Sequence, residues 1–235
     1  MAVTDFHSHV LPDVDDGSAS AEESLAMLCL AAQQGVHRVV ATPHFYPRYD
    51  DLDRFLERRA RAMERLQGAM RADIELPEIV LGAEVYFFRG MSESDQLARL
   101  TIEGKNYLLI EMPASPWTED MYLELEQIWT RQGILPIVAH VDRYIRPLRT
   151  YGIPERLSQL PVLVQANAEF FINKRTSGMA LRMLNADRIH LLGSDCHNMT
   201  ARKPNLDAAV RCIRSRLGQA ALQRIKGYEQ EILNG

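Results

Sequence analysis

Val36-His37-Arg38-Val39-Val40-Ala41-Thr42-Pro43-His44 (residues 36–44) holds the pattern from which the rest of the chain can be read. Val36–Ala41 is rich in valine and too short for a helix, so it reads as a buried strand. It stops at Thr42-Pro43 and delivers a histidine at its carboxyl edge. The same pattern recurs along the chain. Short apolar runs occupy Val3–Val10, Ile79–Val85, Tyr107–Ile110, Ile134–Ala139, Val162–Val164 and Ile189–Leu192.

Segments of helical period lie between the runs. Ser20-Ala21-Glu22-Glu23 is a capping box, and Gly35 closes the helix that follows it. Apolar residues from Leu52 to Met70 recur at helical spacing, with Glu57, Arg58, Arg61 and Arg65 on the opposite, solvated face. Further helices are predicted over Glu119–Gln132, Ser177–Asn185, Asn205–Leu217 and Gln219–Leu233. About seven strands alternating with helices predict an α/β fold with a parallel sheet.

Composition sets the outer limits. A chain of 235 residues suits one α/β barrel domain spanning 1–235. The net charge of −4 argues against a general nucleic-acid binder. Cys29, Cys196 and Cys212 form no disulfide framework, which suits a reducing compartment. MAVTDFHSHV offers neither a basic nor an apolar leader segment, and no apolar run is long enough to span a bilayer. A cytoplasmic protein without membrane insertion is the expectation.

The runs end on ionisable groups. The first carries Asp5-Phe6-His7-Ser8-His9, where alternation puts Asp5, His7 and His9 on one face. Others end on His44, Glu84, Glu111, His140, and Asp195-Cys196-His197. Six of the seven histidines fall at strand ends or beside them. Singly, each could be a satisfied core polar group. Together they put four carboxylates beside five imidazoles at one edge, and such a set needs cations to offset it. The Asp13–Gly17 loop reads either as an ordinary Asx-rich turn or as the source of one carboxylate for the cluster. In α/β barrels that edge is where active sites are built, which favours closure of the sheet.

DFHSHVLPDVDDGS, ATPH, GAEVYF, LLIEMP, PIVAHVDRY and LLGSDCHN with Arg202 resemble, in order and spacing, the PHP (polymerase and histidinol phosphatase) superfamily. Within it they are most similar to the bacterial tyrosine-protein phosphatases of capsule and exopolysaccharide synthesis. The resemblance implies a distorted (β/α)7 barrel, TIM-like, with a trinuclear metal site at the carboxyl ends of the strands. It implies that His7, His9, Glu84 and Asp195 hold one ion, and that Glu84, Glu111 and His140 hold a second. Asp16, His44 and His197 would hold the third. Arg143 and Arg202 match the family's phosphate-binding, catalytic arginines. Two departures stand out: Asp142 where glutamate is common, and Gln165-Ala-Asn-Ala-Glu-Phe-Phe171 after the sixth strand. Neither is expected to touch a ligand.

A donor set of carboxylates and imidazoles without thiolate suits Mn²⁺, Fe²⁺, Zn²⁺ or Mg²⁺, and the resemblance selects Mn²⁺. The implied reaction is hydrolysis of phosphotyrosine in a protein, with a metal-bridging hydroxide as nucleophile and the tail of a polysaccharide-synthesis tyrosine kinase as substrate. Three divalent ions would outweigh four carboxylates and a hydroxide by one charge, leaving a site that attracts a phosphate dianion.

Three other readings compete with this one. Cys196 to Arg202 has the C-x5-R spacing of thiol phosphatases, but the segment lacks glycine and Asp195 would raise the thiol pKa. A small substrate such as histidinol phosphate would use a similar cluster. A non-catalytic binding module would have lost ligands, and none is missing here. Tyr46, Tyr49, Tyr86, Phe87 and Phe88 are candidates to line a phosphotyrosine pocket.

Overall fold

The computed structural model describes residues 3–145 and 152–234. All strand pairs among them are parallel. Strands β1 (Val3–Ser8), β2 (Val36–Ala41) and β4 (Glu78–Leu81) form one sheet in the order β1-β2-β4. The other runs β3 (His44–Phe45), β5 (Glu84–Tyr86), β6 (Tyr107–Glu111), β7 (Leu135–Val138), β8 (Leu163–Asn167) and β9 (Leu191–Gly193). The two meet at both ends. On one side Gly82 N donates to Ala41 O (2.9 Å) and Glu84 N to Pro43 O (3.0 Å). On the other Asp195 N donates to His7 O (2.8 Å) and His9 N to Cys196 O (2.9 Å). The result is a curled parallel sheet, with most of its apolar residues buried as parallel strands require and those of β4 half-buried.

The predicted helices form: α1 (Ala21–Gln33), α2 (Leu52–Ala69), α3 (Glu119–Gln132), α7 (Ser177–Asn185), α8 (Leu206–Leu217) and α9 (Gln219–Asn234). Ser20 caps α1 by accepting from Glu23 N (3.2 Å), while Glu23 accepts from Ala19 N (3.0 Å) and from Met199 N (3.1 Å). The capping glutamate thus also ties down the loop after β9. Three short helices escape the periodicity: α4 (Asp142–Ile145), α5 (Ile153–Leu157) and α6 (Ala168–Ile172). Segments of four or five residues are too brief to show a 3.6-residue period.

Two expectations about the strands change. The run Ile79–Val85 is broken at Gly82-Ala83 into β4 and β5, just as Thr42-Pro43 separates β2 from β3. Proline removes a ladder donor and glycine weakens the strand, so both breaks sit where the sequence punctuates. Alternation also fails along β1, because its register with β2 shifts between Asp5 and Ser8. His7 and His9 still meet, but Asp5 turns aside: its carboxylate accepts from Ser194 N (2.8 Å) and Ser194 Oγ (2.5 Å).

Candidate metal centre

The carboxyl edge of the sheet collects its donors from seven separate places in the chain. β1 ends in His7 and His9, the loop Asp13–Ser18 brings Asp16, β3 starts with His44, β5 with Glu84, and β6 ends in Glu111. His140 follows β7, and Asp195 and His197 follow β9. The loop is closed by Asp13 N to Ser18 O (2.8 Å) and Ser18 N to His9 O (3.0 Å). Gly17 is required there, since a Cβ would sit 2.5 Å from both the Cβ and the O of His9.

All nine residues come together, with donor atoms close enough to share cations in four overlapping sets. These are His9, Asp16, His44 and His197; His7, Glu84 and His140; His7, His9 and Asp195; and His44, Glu84 and Glu111. Glu84 lies at the centre: Oε2 is 3.1 Å from His7 Nε2 and 3.0 Å from His44 Nδ1, and Oε1 is 2.7 Å from His140 Nε2. Asp16 Oδ1 is 3.6 Å from His44 Nε2 and 3.5 Å from His197 Nε2.

The tautomers carry information. His9 Nδ1 lies 2.6 Å from Asp15 Oδ2, an acceptor, so Nδ1 holds the hydrogen and Nε2 a lone pair. That Nε2 is 3.2 Å from His7 Nε2, which itself faces Glu84 and Asp195. Nitrogen lone pairs turned on each other and on carboxylate oxygens are stable only with a proton or a cation between them. His44 Nδ1, Glu84 Oε2 and His197 Nε2 are buried with no hydrogen-bond partner. Orphans of this kind call for a ligand.

The ionisation pattern agrees. Burial would raise the Glu84 pKa, but His7, His140 and His44 together hold it well below the usual carboxylate range. Asp195 is likewise held well down against its burial, by His7, His9 and Arg143. His9 is pushed well up, burial being outweighed by Asp15, Asp195 and Glu84. His197 falls to about 4 through burial and the neighbouring His9. Glu84 and Asp195 are thus held charged, as cation binding requires, whereas burial and the neighbouring Glu84 push the Glu111 pKa up.

Arg143 and Arg202 both reach the cluster. Arg143 pairs with Asp195 Oδ2, and Arg202 Nη2 is 2.7 Å from Asp195 Oδ1. Both guanidiniums are partly exposed and face a cavity of about 600 Å³ lined also by Asn167, Ser194 and Lys203. His140 (φ 32°) and Asp195 (φ 53°) sit on left-handed backbone that non-glycine residues rarely adopt. Such strain concentrates at functional sites.

Several sequence expectations are sharpened or corrected. Five histidines converge, as expected, and the sixth of those at or beside strand ends does not. His190 precedes β9 at the opposite edge, where its Nδ1 accepts from Val164 N (2.9 Å). Of the aromatics, Tyr46 stacks on His44 (5.1 Å between centroids, 27°) and lies 5.8 Å from Tyr86. Phe87 is core and Tyr49 is 81% exposed. Cys196 is 1% exposed, and burial, then Asp5, push its thiol pKa up, so it presents no thiolate. The segment from Gln165 to Phe171 does touch proposed ligands, and its first three residues belong to β8: Gln165 contacts His7 and His140, and Asn167 contacts Asp195. β8 lies between β7 and β9 in the sheet, so its end falls between theirs. Asp15, Gln165 and Asn167 were not singled out as site residues, since lone polar residues at such positions have no distinctive spacing.

Fold and site together define an α/β protein that gathers ionisable donors, with two arginines paired to Asp195, at one end of a curled parallel sheet. The chain belongs to the CpsB/CapC family of capsular polysaccharide synthesis, whose model matches residues 3–233. It is 29% identical to the tyrosine-protein phosphatase CpsB of Streptococcus pneumoniae over 232 residues, covering 91% of this chain and 90% of that one. It is 28% identical to the tyrosine-protein phosphatase YwqE of Bacillus subtilis over 223 residues, covering 91% and 85%. Crystal structures of YwqE and CpsB, metal-dependent tyrosine phosphatases, provide a chain matching with a TM-score of 0.81 at 23% identity. That match covers 97% of this chain and 93% of the other and shows the shared fold.

Proposed function

We propose that this chain is a single-domain metal-dependent phosphatase that hydrolyses phosphotyrosine in proteins, with a tyrosine kinase of polysaccharide synthesis as its substrate. The observation that carries it is the set of buried, unpartnered donor atoms inside four overlapping ligand groups, beside two arginines that face an open cavity. The names of the relatives favour a protein substrate over a small phosphate ester such as histidinol phosphate. Counting β2 with β3 and β4 with β5 as interrupted strands gives seven, the basis for reading the sheet as a distorted (β/α)7 barrel.

His7, His9, Glu84 and Asp195 would hold one ion, Glu84 with Glu111 and His140 a second, and Asp16, His44 and His197 a third. Oxygen and imidazole donors without thiolate fit Mn²⁺. Divalent ions there supply positive charge and a water acidic enough to act as nucleophile near neutral pH. Arg143 and Arg202 grip the phosphate oxygens, replacing part of their hold on Asp195 with charge-assisted bonds to substrate. Tyr46 and Tyr86 flank the approach and suit the phenyl ring.

Chelation followed by add-back tests the reading. Turnover of p-nitrophenyl phosphate should vanish in the demetallated protein and return with Mn²⁺; full activity without metal would overturn it. A phosphotyrosine peptide should be turned over faster than histidinol phosphate.

A further inference from the structure

Gln165 is fully buried between His7 and His140, and its amide orientation is determined by its neighbours. The backbone N–H of His140 lies 2.6 Å from Oε1 and can only donate, so that atom is the carbonyl oxygen. His7 Nδ1, 3.2 Å from the same oxygen, must then carry the ring hydrogen. Gln165 Nε2 is left to donate to Asn167 Oδ1 at 3.0 Å. Asn167 Nδ2 is then the donor to Asp195 Oδ2 at 3.0 Å, a carboxylate that can only accept. Each assignment forces the next, from a backbone donor at one end to a carboxylate at the other.

This string touches the two site residues on left-handed backbone, His140 and Asp195, one through its amide and the other through its carboxylate. It also leaves His7 Nε2 without a hydrogen, facing Glu84 Oε2 at 3.1 Å and Asp195 Oδ1 at 3.6 Å. Space for it is made by Gly193, where a Cβ would stand 2.6 Å from Gln165 Nε2 and 2.5 Å from His7 Cβ.

We infer that Gln165 and Asn167 are positioning residues: Gln165 fixes the tautomer of His7, and through Asn167 the two set the orientation of Asp195. The inference rests on the proposed metal-dependent phosphatase reading. An outer hydrogen-bond partner of this kind commonly changes ion affinity 10–100-fold, roughly, when removed.

The two halves of the string separate by substitution. In Gln165→Leu the His7 Nδ1–H and the His140 N–H lose their acceptor, and Asn167 Oδ1 loses its donor. In Asn167→Ala the hold on Asp195 is lost and Gln165 Nε2 loses its acceptor, while Gln165 Oε1 keeps His7 and His140 as donors. In Gln165→Glu a carboxylate still accepts from His7 and His140 but has no hydrogen to give Asn167. Ring ¹⁵N spectra of histidine-labelled protein in alkaline buffer, with and without Zn²⁺, report the tautomer, and calorimetry with Mn²⁺ reports ion affinity. The expected result is a protonated His7 Nδ1 in the parent, in Asn167→Ala and in Gln165→Glu, but a mixture in Gln165→Leu. Ion affinity should fall about 10–100-fold in Gln165→Leu and less in the other two.

Parent-like His7 spectra and Mn²⁺ affinity in folded Gln165→Leu would overturn the inference. If that variant does not fold, Gln165→Glu decides: parent-like affinity with the tautomer lost would overturn it equally. A parent protein that binds no divalent ion would instead overturn the proposed function, and the ion-free spectra would still read the tautomer.

Discussion

The two edges of the sheet treat histidine in opposite ways. At the amino-terminal edge His37 Nδ1 donates to Val3 O (2.9 Å) and His190 Nδ1 accepts from Val164 N (2.9 Å), each ring satisfied by a backbone group of known polarity. At the carboxyl edge five rings face one another and four carboxylates, with ring centroids as close as 3.8 Å for His9 and His197. The same residue type is local scaffolding at one edge and a reservoir of uncommitted lone pairs at the other. Position relative to strand direction, not histidine content, separates the two.

Glu84→Gln should break the contrast most severely, because Glu84 faces His7, His44 and His140 at once. Turnover of a phosphotyrosine peptide should fall roughly 10³-fold or more, with loss of bound ion measured by metal analysis. Arg143→Ala should cost about 10²-fold in kcat/KM while ion content stays at the parental level, since the arginine is assigned to the phosphate. Unchanged turnover in either variant would remove the role given to that residue.

The amino-terminal edge has its own titrating group. Glu229 on α9 is buried and accepts from Thr4 N (3.3 Å). Burial raises its pKa from 4.5 to about 7. The folded state therefore keeps this proton more tightly than the unfolded chain. Its effect on stability is absent below pH 4.5, grows as a penalty as pH rises to about 7, and is constant above that. Glu229→Gln should leave acid stability unchanged and raise stability above neutral pH by roughly 3 kcal/mol at most, read from urea melts across pH. A gain of the same size at every pH would contradict this.

Gly193→Ala, which intrudes on His7 and Gln165, should destabilise by about 2 kcal/mol in the same melts. His37→Ala should do least, within about 1 kcal/mol and with parental turnover, because it removes one hydrogen bond at the edge remote from the cluster. A large loss of activity there would erase the distinction between the edges.

Most strands and the long helices were legible because period and length determine them: α2, α3 and α7 follow their apolar spacing, and the runs bounded by Gly, Pro and Asp became strands. The nine clustered residues were legible because each closes an apolar run or sits in the aspartate-rich loop behind one. Asp15, Gln165 and Asn167 were not, although they fix how His9, His7 and Asp195 are presented. Their meaning depends on which strands lie side by side, and a single polar residue at a strand end has no period to betray it. Asp5 misled for the opposite reason, since alternation is a rule for regular strands and β1 shifts register at that point.

The sealed thiol of Cys196 has a practical consequence. Enzymes that cleave phosphotyrosine with an exposed, acidic sulfur are silenced by peroxide and by alkylating agents, because the atom that attacks substrate also attacks these reagents. Here the sulfur beside the site is 1% exposed and held in its neutral form. Iodoacetamide at concentrations that disable such enzymes should leave this protein's turnover intact, giving it a resistance to electrophiles that follows from where one side chain is packed.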